Sequence, residues 1–395
     1  MKIKDIEKSL VKEFERIEDI RDFNQKKVLD AFINNRVSPE HFYTVSGYGH
    51  DDAGRGVLDK VFAETFKAQK AIVRIHFVSG THALACAISG NLRYGDKLVS
   101  VAGPPYDTMQ TVIKSMVEDG IFYEEIPLKN GLEADLELLE KTIDETVTMV
   151  LIQRSRGYSL RKSFSIADIE KICRVVKSKN PECICFADNC YGEFVEDREP
   201  LEAGADLIAG SLIKNPGGGI VEAGGYIAGR EDLVEKAAVR LTAPGIGSEG
   251  GAMFNQHRLL FQGLFMAPSV TADAVKSAVL AAKIFEKAGF VSTPKAGEHR
   301  TDIIQTIVFN APEPLKAFCK TIQEMSPVNS HVTPIPDNVP GYDNKVIMAG
   351  GTFIEGSTIE LSADGPLRPP YAAYMQGGLN YAHVKIVMEK VTSKY

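Results

Sequence analysis

The stretch "GSLIKNPGGG", residues 210–219, places a single lysine, Lys214, after the apolar Leu212-Ile213 and directly before a proline and three glycines. A lysine head group is costly to desolvate, and a glycine run lets the backbone approach something closely. The pairing suits a reactive amine held beside a ligand, although a surface turn with a snorkelling lysine has the same composition. Asp188 closes the apolar run "CICFAD" at 183–188. A carboxylate there is either a cap for the next segment or an acid aimed into a crevice, where it needs a cationic or hydrogen-bonding partner. Ser79, Gly80 and Thr81 open "SGTHALACAISG", which is an ordinary helix cap or an anion site made of free amides and hydroxyls. Tyr106, in "AGPPYDT", is a loop tyrosine able to stack on a flat ligand, and Ser211 lies three residues before Lys214.

Each of these features has a bland reading. As a set they supply a phosphate cradle, a stacking aromatic, an acid for a ring nitrogen and a lysine for an aldehyde. Those are the needs of pyridoxal 5'-phosphate. Such groups must be brought to one edge of a common scaffold, and the chain offers one. Apolar runs at 75–79, 96–102, 121–127, 147–153, 183–188, 207–213 and 224–229 alternate with amphipathic segments such as "SIADIEKICRVVKSK". That is the rhythm of a βαβ sheet buried on both faces. In an open parallel sheet, ligands bind beyond the carboxyl ends of the strands, where Tyr106, Asp188 and Lys214 fall. From about residue 270 a long helix, several short strands and a final helix read as a smaller α+β unit.

The chain has 395 residues, 44% hydrophobic and 25% charged, with a net charge of −7. The length implies two domains. No basic run favours nucleic acid. The N-terminal 35 residues read as helical, charged and without a signal core, and no run resembles the roughly 20 apolar residues of a membrane span. The six cysteines include three in "CICFADNC". Their spacing suits buried small hydrophobes, with no metal set expected, and a cytoplasmic setting fits. "GIGSEG" at 245–250 matches a dinucleotide fingerprint but follows a helical stretch, where the fingerprint needs a strand.

The phrases "SGYGHDDAGRG", "VSGTHAL", "FADNCYGEF", "GSLIKNPGGGI" and "SADGPLRPPYAAYMQGGLNYAH" resemble the fold-type-I pyridoxal-phosphate enzymes. Within them the chain looks closest to the cystathionine lyase and methionine gamma-lyase group, in its aluminium-resistance branch. The resemblance implies an α/β large domain with a seven-stranded, mostly parallel sheet and a smaller α+β C-terminal domain. The divisions expected are an N-terminal arm at 1–50, a cofactor domain at 51–270 and a small domain at 271–395. It implies that Lys214 binds the cofactor aldehyde, Asp188 keeps the pyridine nitrogen protonated and Tyr106 stacks on the ring. Ser79, Gly80, Thr81 and Ser211 would take the phosphate. Tyr48 and Arg55 would reach the phosphate of a neighbouring subunit, in a dimer or dimer of dimers. Arg368 would bind the substrate carboxylate. Ile213 stands where the transsulfuration enzymes carry threonine, which removes one phosphate contact. Gln153, Arg154 and Ser155 fall where the family contacts the ring oxygen or the substrate. The activity implied is β- or γ-elimination of a thiol from a cystathionine- or methionine-type amino acid. Another reaction of the same cofactor (transamination or aldol-type cleavage) and a non-catalytic metal-stress protein are the alternatives.

Overall fold

The computed structural model describes residues 2–339 and 343–394. Helices α1 (Ile3–Lys8) and α2 (Val11–Asn34) lead through a polar loop to α3 (Ala53–Thr65). A seven-stranded sheet follows, built from β1 (Lys70–Arg74), β2 (Lys97–Ser100), β3 (Phe122–Glu125), β4 (Val147–Gln153), β5 (Ile184–Asp188), β6 (Leu207–Ser211) and β7 (Gly225–Gly229). Its order is β1-β7-β6-β5-β4-β2-β3. The pairings among β2 to β6 are parallel, and β7 runs antiparallel to both β6 and β1. Helices α4 (Gly80–Asn91), α5 (Asp107–Glu118), α6 (Leu136–Thr142), α7 (Ile166–Lys179) and α8 (Glu231–Leu241) connect and flank the strands. β4, β5 and β6 are buried almost throughout, as strands covered on both faces must be. α7 begins at a reciprocal capping box of Ser165 and Asp168, which satisfies two backbone donors at its start.

The 31-residue α9 (His257–Lys287) then crosses the molecule. By length and composition it is apolar enough to span a membrane, contrary to the expectation from the sequence, but 72% of its most apolar window is buried inside the protein. It is a core helix, and it packs on α2 and α3 as well as on β8 (Val291–Thr293) and β9 (Gln305–Val308). The division expected at 270/271 falls inside it. The second sheet is antiparallel, in the order β10-β11-β12-β9-β8, with β10 (Val346–Ala349), β11 (Ser362–Pro366) and β12 (Ala372–Gln376). Helices α10 (Pro312–Glu324) and α11 (Tyr381–Thr392) complete it.

One strand lies elsewhere than the sequence pattern predicts. Residues 75–79 form a turn leading to α4, and β1 is "KAIVR", five residues earlier. Lysine and arginine at its two ends disguise it. Arg74 is nonetheless buried, because it pairs with Asp59 at 2.7 Å and donates to the Ser248 carbonyl at 2.9 Å.

Candidate active site

Ser79, Gly80, Thr81, Tyr106, Asp188, Ser211 and Lys214 all line one cavity of about 1010 Å³ between the two sheets. Register explains much of this. Gln153 at the end of β4 is opposite Asp188 at the end of β5, and Asp188 is opposite Ala209, so β6 ends two residues further on at Ser211. Three parallel strands therefore stop at one edge, and the backbone turn after β6 carries Lys214.

Gly80 sits against Ser211: a Cβ at residue 80 would lie 3.0 Å from the Ser211 Cβ. The absent side chain lets the start of α4 close on the end of β6, which brings the two expected phosphate-binding elements together. Ser79 caps α4, its Oγ accepting from the His82 amide at 3.1 Å. The Thr81 hydroxyl meets the Tyr106 hydroxyl at 3.0 Å, and the Tyr106 amide donates to Gln153 Oε1 at 2.8 Å. Burial, reinforced by the Asp188 charge, pushes the Tyr106 phenol well above its ordinary range, so it stays neutral.

Asp188 Oδ1 accepts the Cys190 amide at 3.1 Å. Burial raises its pKa, opposed by Lys214 and by that amide. Lys214 Nζ lies 4.0 Å from the centre of the Tyr191 ring. Burial by itself would lower the lysine pKa, but it is outweighed by Cys190, Tyr191, Asp188 and Tyr106, and the net direction is upward. Asp188 is the one carboxyl among those four groups, and the thiol at 190 and phenol at 106 are themselves pushed up by burial. Asp188 thus favours the ammonium form of Lys214, yet the two form no ion pair within 4 Å.

The segment after β4 divides by alternation. Gln153 and Ser155 line the cavity, Gln153 Nε2 donating to the Ser155 carbonyl at 2.8 Å. Arg154 is wholly buried on the other side, bonded to Asn189 and Glu196 at 2.7 and 2.8 Å, and is not a cavity residue. Arg368 lines the cavity at its exposed rim, with Nη2 3.4 Å from the Tyr158 carbonyl. Arg55, expected to serve a neighbouring subunit, lies apart from the cavity of its own chain. It is 3% exposed and donates to the carbonyls of Gly49, Gly251 and Glu249 at 2.6, 3.0 and 2.6 Å. A guanidinium committed to three carbonyls of its own chain is a loop staple. It ties residues 46–52 to "GIGSEG", which is a short turn here and not a strand-to-helix fingerprint. Tyr48 is 83% exposed and also outside the cavity.

Several cavity residues went unread in the sequence. Arg156, Tyr158 and Arg161 follow β4, and Asp364, Tyr374 and Gln376 come from the second sheet. The position of "SRGYSLR" just past a parallel strand was a signal that was available. Arg161 donates to the carbonyls of Gln153, at 2.8 Å, and Ser155. Burial lowers its pKa to about 10.

These residues fit pyridoxal phosphate. An amine and a carboxylate face one cavity without neutralising each other, and a close-approach glycine joins a capped helix start to a serine. The sequence profile of the methionine gamma-lyase family matches residues 1–395. The chain belongs to the methionine gamma-lyase family. It is similar to a candidate cystathionine beta-lyase involved in aluminium resistance from Listeria monocytogenes, 46% identical, with a TM-score of 0.97 over 99% of this chain and 98% of that one. It is similar also to a carbon–sulfur lyase involved in aluminium resistance from Clostridium novyi, 48% identical, with a TM-score of 0.95 over 100% of this chain and 95% of that one. The Bacillus subtilis protein YnbB, itself uncharacterized, is 46% identical over 378 residues, 94% of this chain and 90% of its own. The fold alone is shared with a pyridoxal-5'-phosphate-dependent protein from Escherichia coli, 16% identical, with a TM-score of 0.65 over 96% of this chain and 97% of that one. The expectations of the fold-type-I architecture and of an enzyme of the carbon–sulfur lyase family are borne out.

Proposed function

We propose that the protein binds pyridoxal 5'-phosphate through Lys214 and cleaves a carbon–sulfur bond of an amino-acid substrate, releasing a thiol, ammonia and a 2-oxo acid. The observation that carries this is the separation of Lys214 and Asp188 across one cavity large enough for a cofactor and a substrate. When bound, the cofactor supplies the electron sink that stabilises a carbanion at the substrate α-carbon.

The protein's part is to hold charges and move one proton. Asp188, buried and fixed by the Cys190 amide, offers its carboxylate to a cationic ring nitrogen. The amides at the start of α4 and the hydroxyls of Ser79, Thr81 and Ser211 offer donors to a phosphate. Tyr106 supplies the stacking face, and its neutral phenol leaves the local charge balance alone. Lys214 Nζ takes the α-proton. Once Asp188 is matched by a cation of its own, the field that keeps Lys214 charged is cancelled. Burial then prevails and lowers its pKa, which is what a general base requires. Arg368 offers a fork to the substrate carboxylate. The six cysteines are all free and buried, in keeping with a reducing cytoplasmic compartment.

Tyr43, Tyr48 and Phe254 are 73%, 83% and 69% exposed, and their loops are joined by the bond from the Gly251 amide to the Tyr48 carbonyl. We assign this apolar patch to a second copy of the chain. Light scattering that finds a fully active monomer would refute that assignment.

Purified protein supplied with the cofactor should release thiol and ammonia in equal amounts from L-cystathionine or L-methionine, and the Lys214→Ala protein should not. A 2-oxo acid formed without ammonia or thiol would identify a transaminase and overturn the proposal.

A further inference from the structure

The second sheet presents one row of side chains to the cavity side. Cross-strand register places Met348 opposite Asp364, Asp364 opposite Tyr374, Tyr374 opposite Thr306, and Thr306 opposite Thr293. Residues directly opposite one another share a face. The neighbouring positions of β11 point the other way, since a Cβ at Gly365 would strike the Leu315 side chain of α10 at 2.6 Å. At one end of the row Arg156 takes the threonines, donating to the Thr293 carbonyl at 3.0 Å and approaching both hydroxyls at 3.4 Å. At the other end Met348, Asp364 and Tyr374 line the cavity.

Asp364 is the anomaly of the row. It is 4% exposed. Its Oδ2 accepts the Tyr158 hydroxyl at 2.8 Å, and the Tyr158 ring packs on Tyr374 at 5.2 Å between centroids. Its Oδ1 accepts no hydrogen bond among the described residues, and no cation among them offsets its charge. Burial raises its pKa to about 6, opposed only by the Tyr158 bond. The carboxyl is therefore ionised for the most part at neutral pH, at a cost that a cation would offset. It lies close to the chemistry, for the fields of both Lys214 and Asp364 act on the Tyr191 hydroxyl. The mechanism above has no use for it. The amine that reacts is served by Lys214, the ring nitrogen by Asp188 and the carboxylate by an arginine.

We propose that Asp364 is a specificity residue that selects amino-acid substrates whose side chain carries a second ammonium, receiving that cation on Oδ1. The inference rests on the reading of the site as that of an amino-acid lyase. A thioether with an uncharged alkyl end leaves Asp364 buried and unpaired, whereas one whose sulfur carries a second amino-acid head group pairs it. Sites built around a buried polar group discriminate strongly against ligands that fail to satisfy it.

The test compares L-ornithine with L-norvaline, its counterpart of similar length without the distal ammonium, as competitive inhibitors of the cofactor-loaded enzyme. Neither has a carbon–sulfur bond, so binding is read without cleavage. The wild type should bind ornithine at least tenfold more tightly than norvaline, and Asp364→Asn should abolish that preference. The ratio of kcat/KM for L-cystathionine over S-methyl-L-cysteine should fall at least tenfold in the same variant. A wild type without preference for ornithine overturns the assignment, as does a preference that survives Asp364→Asn; the wild-type comparison needs no variant to fold. A wild type that prefers ornithine yet cleaves neither thioether refutes the lyase reading alone. One that cleaves both and shows no preference refutes the Asp364 assignment alone.

Discussion

Two buried groups of charges grow from adjacent positions of β4 and β5, and they are built in opposite ways. Arg154 and Asn189 turn away from the cavity. There Arg154 meets Glu196 at 2.8 Å and Glu199 at 3.7 Å, and His299 closes on the second oxygen of Glu196 at 3.0 Å. Burial works against the ionised form of Glu196, yet His299 and Arg154 hold its pKa below the ordinary carboxylate range. Gln153 and Asp188, their neighbours in sequence, turn into the cavity. There burial raises Asp188, and Lys214 stays beyond ion-pair reach. Alternation along a strand makes both possible. A cluster whose charges are all matched internally is part of the scaffold. A cluster whose cation and anion face the same space without touching is completed by something that enters that space.

The contrast can be broken most severely at Lys214. Lys214→Ala should lower turnover by about 10³-fold or more, since a nucleophile that also serves as the base has no substitute. Its thermal unfolding should shift far less than that of a scaffold variant, because Lys214 makes no ion pair within 4 Å of Asp188. A steady-state assay and a melting curve on one sample check both. Arg154→Ala should behave in the reverse sense. It leaves Glu196 and Glu199 buried with too little positive charge, at a cost of about 3–5 kcal/mol, while kcat per folded molecule stays near that of the wild type. Denaturant titration separates the two. If Arg154→Ala were stable and inactive, the division between scaffold and site would be wrong.

A third prediction concerns Glu193, which sits behind the cavity with its Oε1 accepting the Tyr226 hydroxyl at 2.8 Å and its Oε2 without a partner among the described residues. Burial raises its pKa from 4.5 to about 8. The folded state then holds a proton that the unfolded state releases above about pH 4.5. Stability from this group is fully present below that pH and is lost as pH rises through about 8, with a slope of at most about 1.4 kcal/mol per pH unit. Glu193→Gln should flatten the fall between pH 5 and 8. Stability curves that remain parallel would contradict it. The smallest effect is expected at Tyr106→Phe, which keeps the ring and loses the 3.0 Å contact with Thr81. Cofactor affinity should weaken only severalfold, for about 1 kcal/mol, as measured by equilibrium dialysis.

How far the sequence could be read follows from what each residue depends on. Lys214, Asp188, Ser211 and Ser79 to Thr81 were legible because each sits at the end of a strand or the start of a helix, and local pattern marks those places. Strand β1 was displaced because its charged ends are neutralised by distant groups, such as Asp59 for Arg74, that no local pattern announces. The loop contacts of Arg55 were hidden for a related reason. Its carbonyl partners lie near residue 250 as well as in its own loop. Asp364 was passed over although its phrase was noticed, because nothing local in "SADGP" marks its carboxyl as facing a cavity. Its importance comes from cross-strand register with Tyr374 and from Tyr158 more than two hundred residues away in sequence. Likewise α9 could be seen as a helix, but its place in both hydrophobic cores is a matter of packing.

The proposed chemistry depends on one nitrogen, Nζ of Lys214. Protein incubated with pyridoxal 5'-phosphate, treated with borohydride and digested should carry the pyridoxyl group on the peptide that contains Lys214, with that label diminished in Asp188→Asn. A label on another lysine, or none under saturating cofactor, would contradict it.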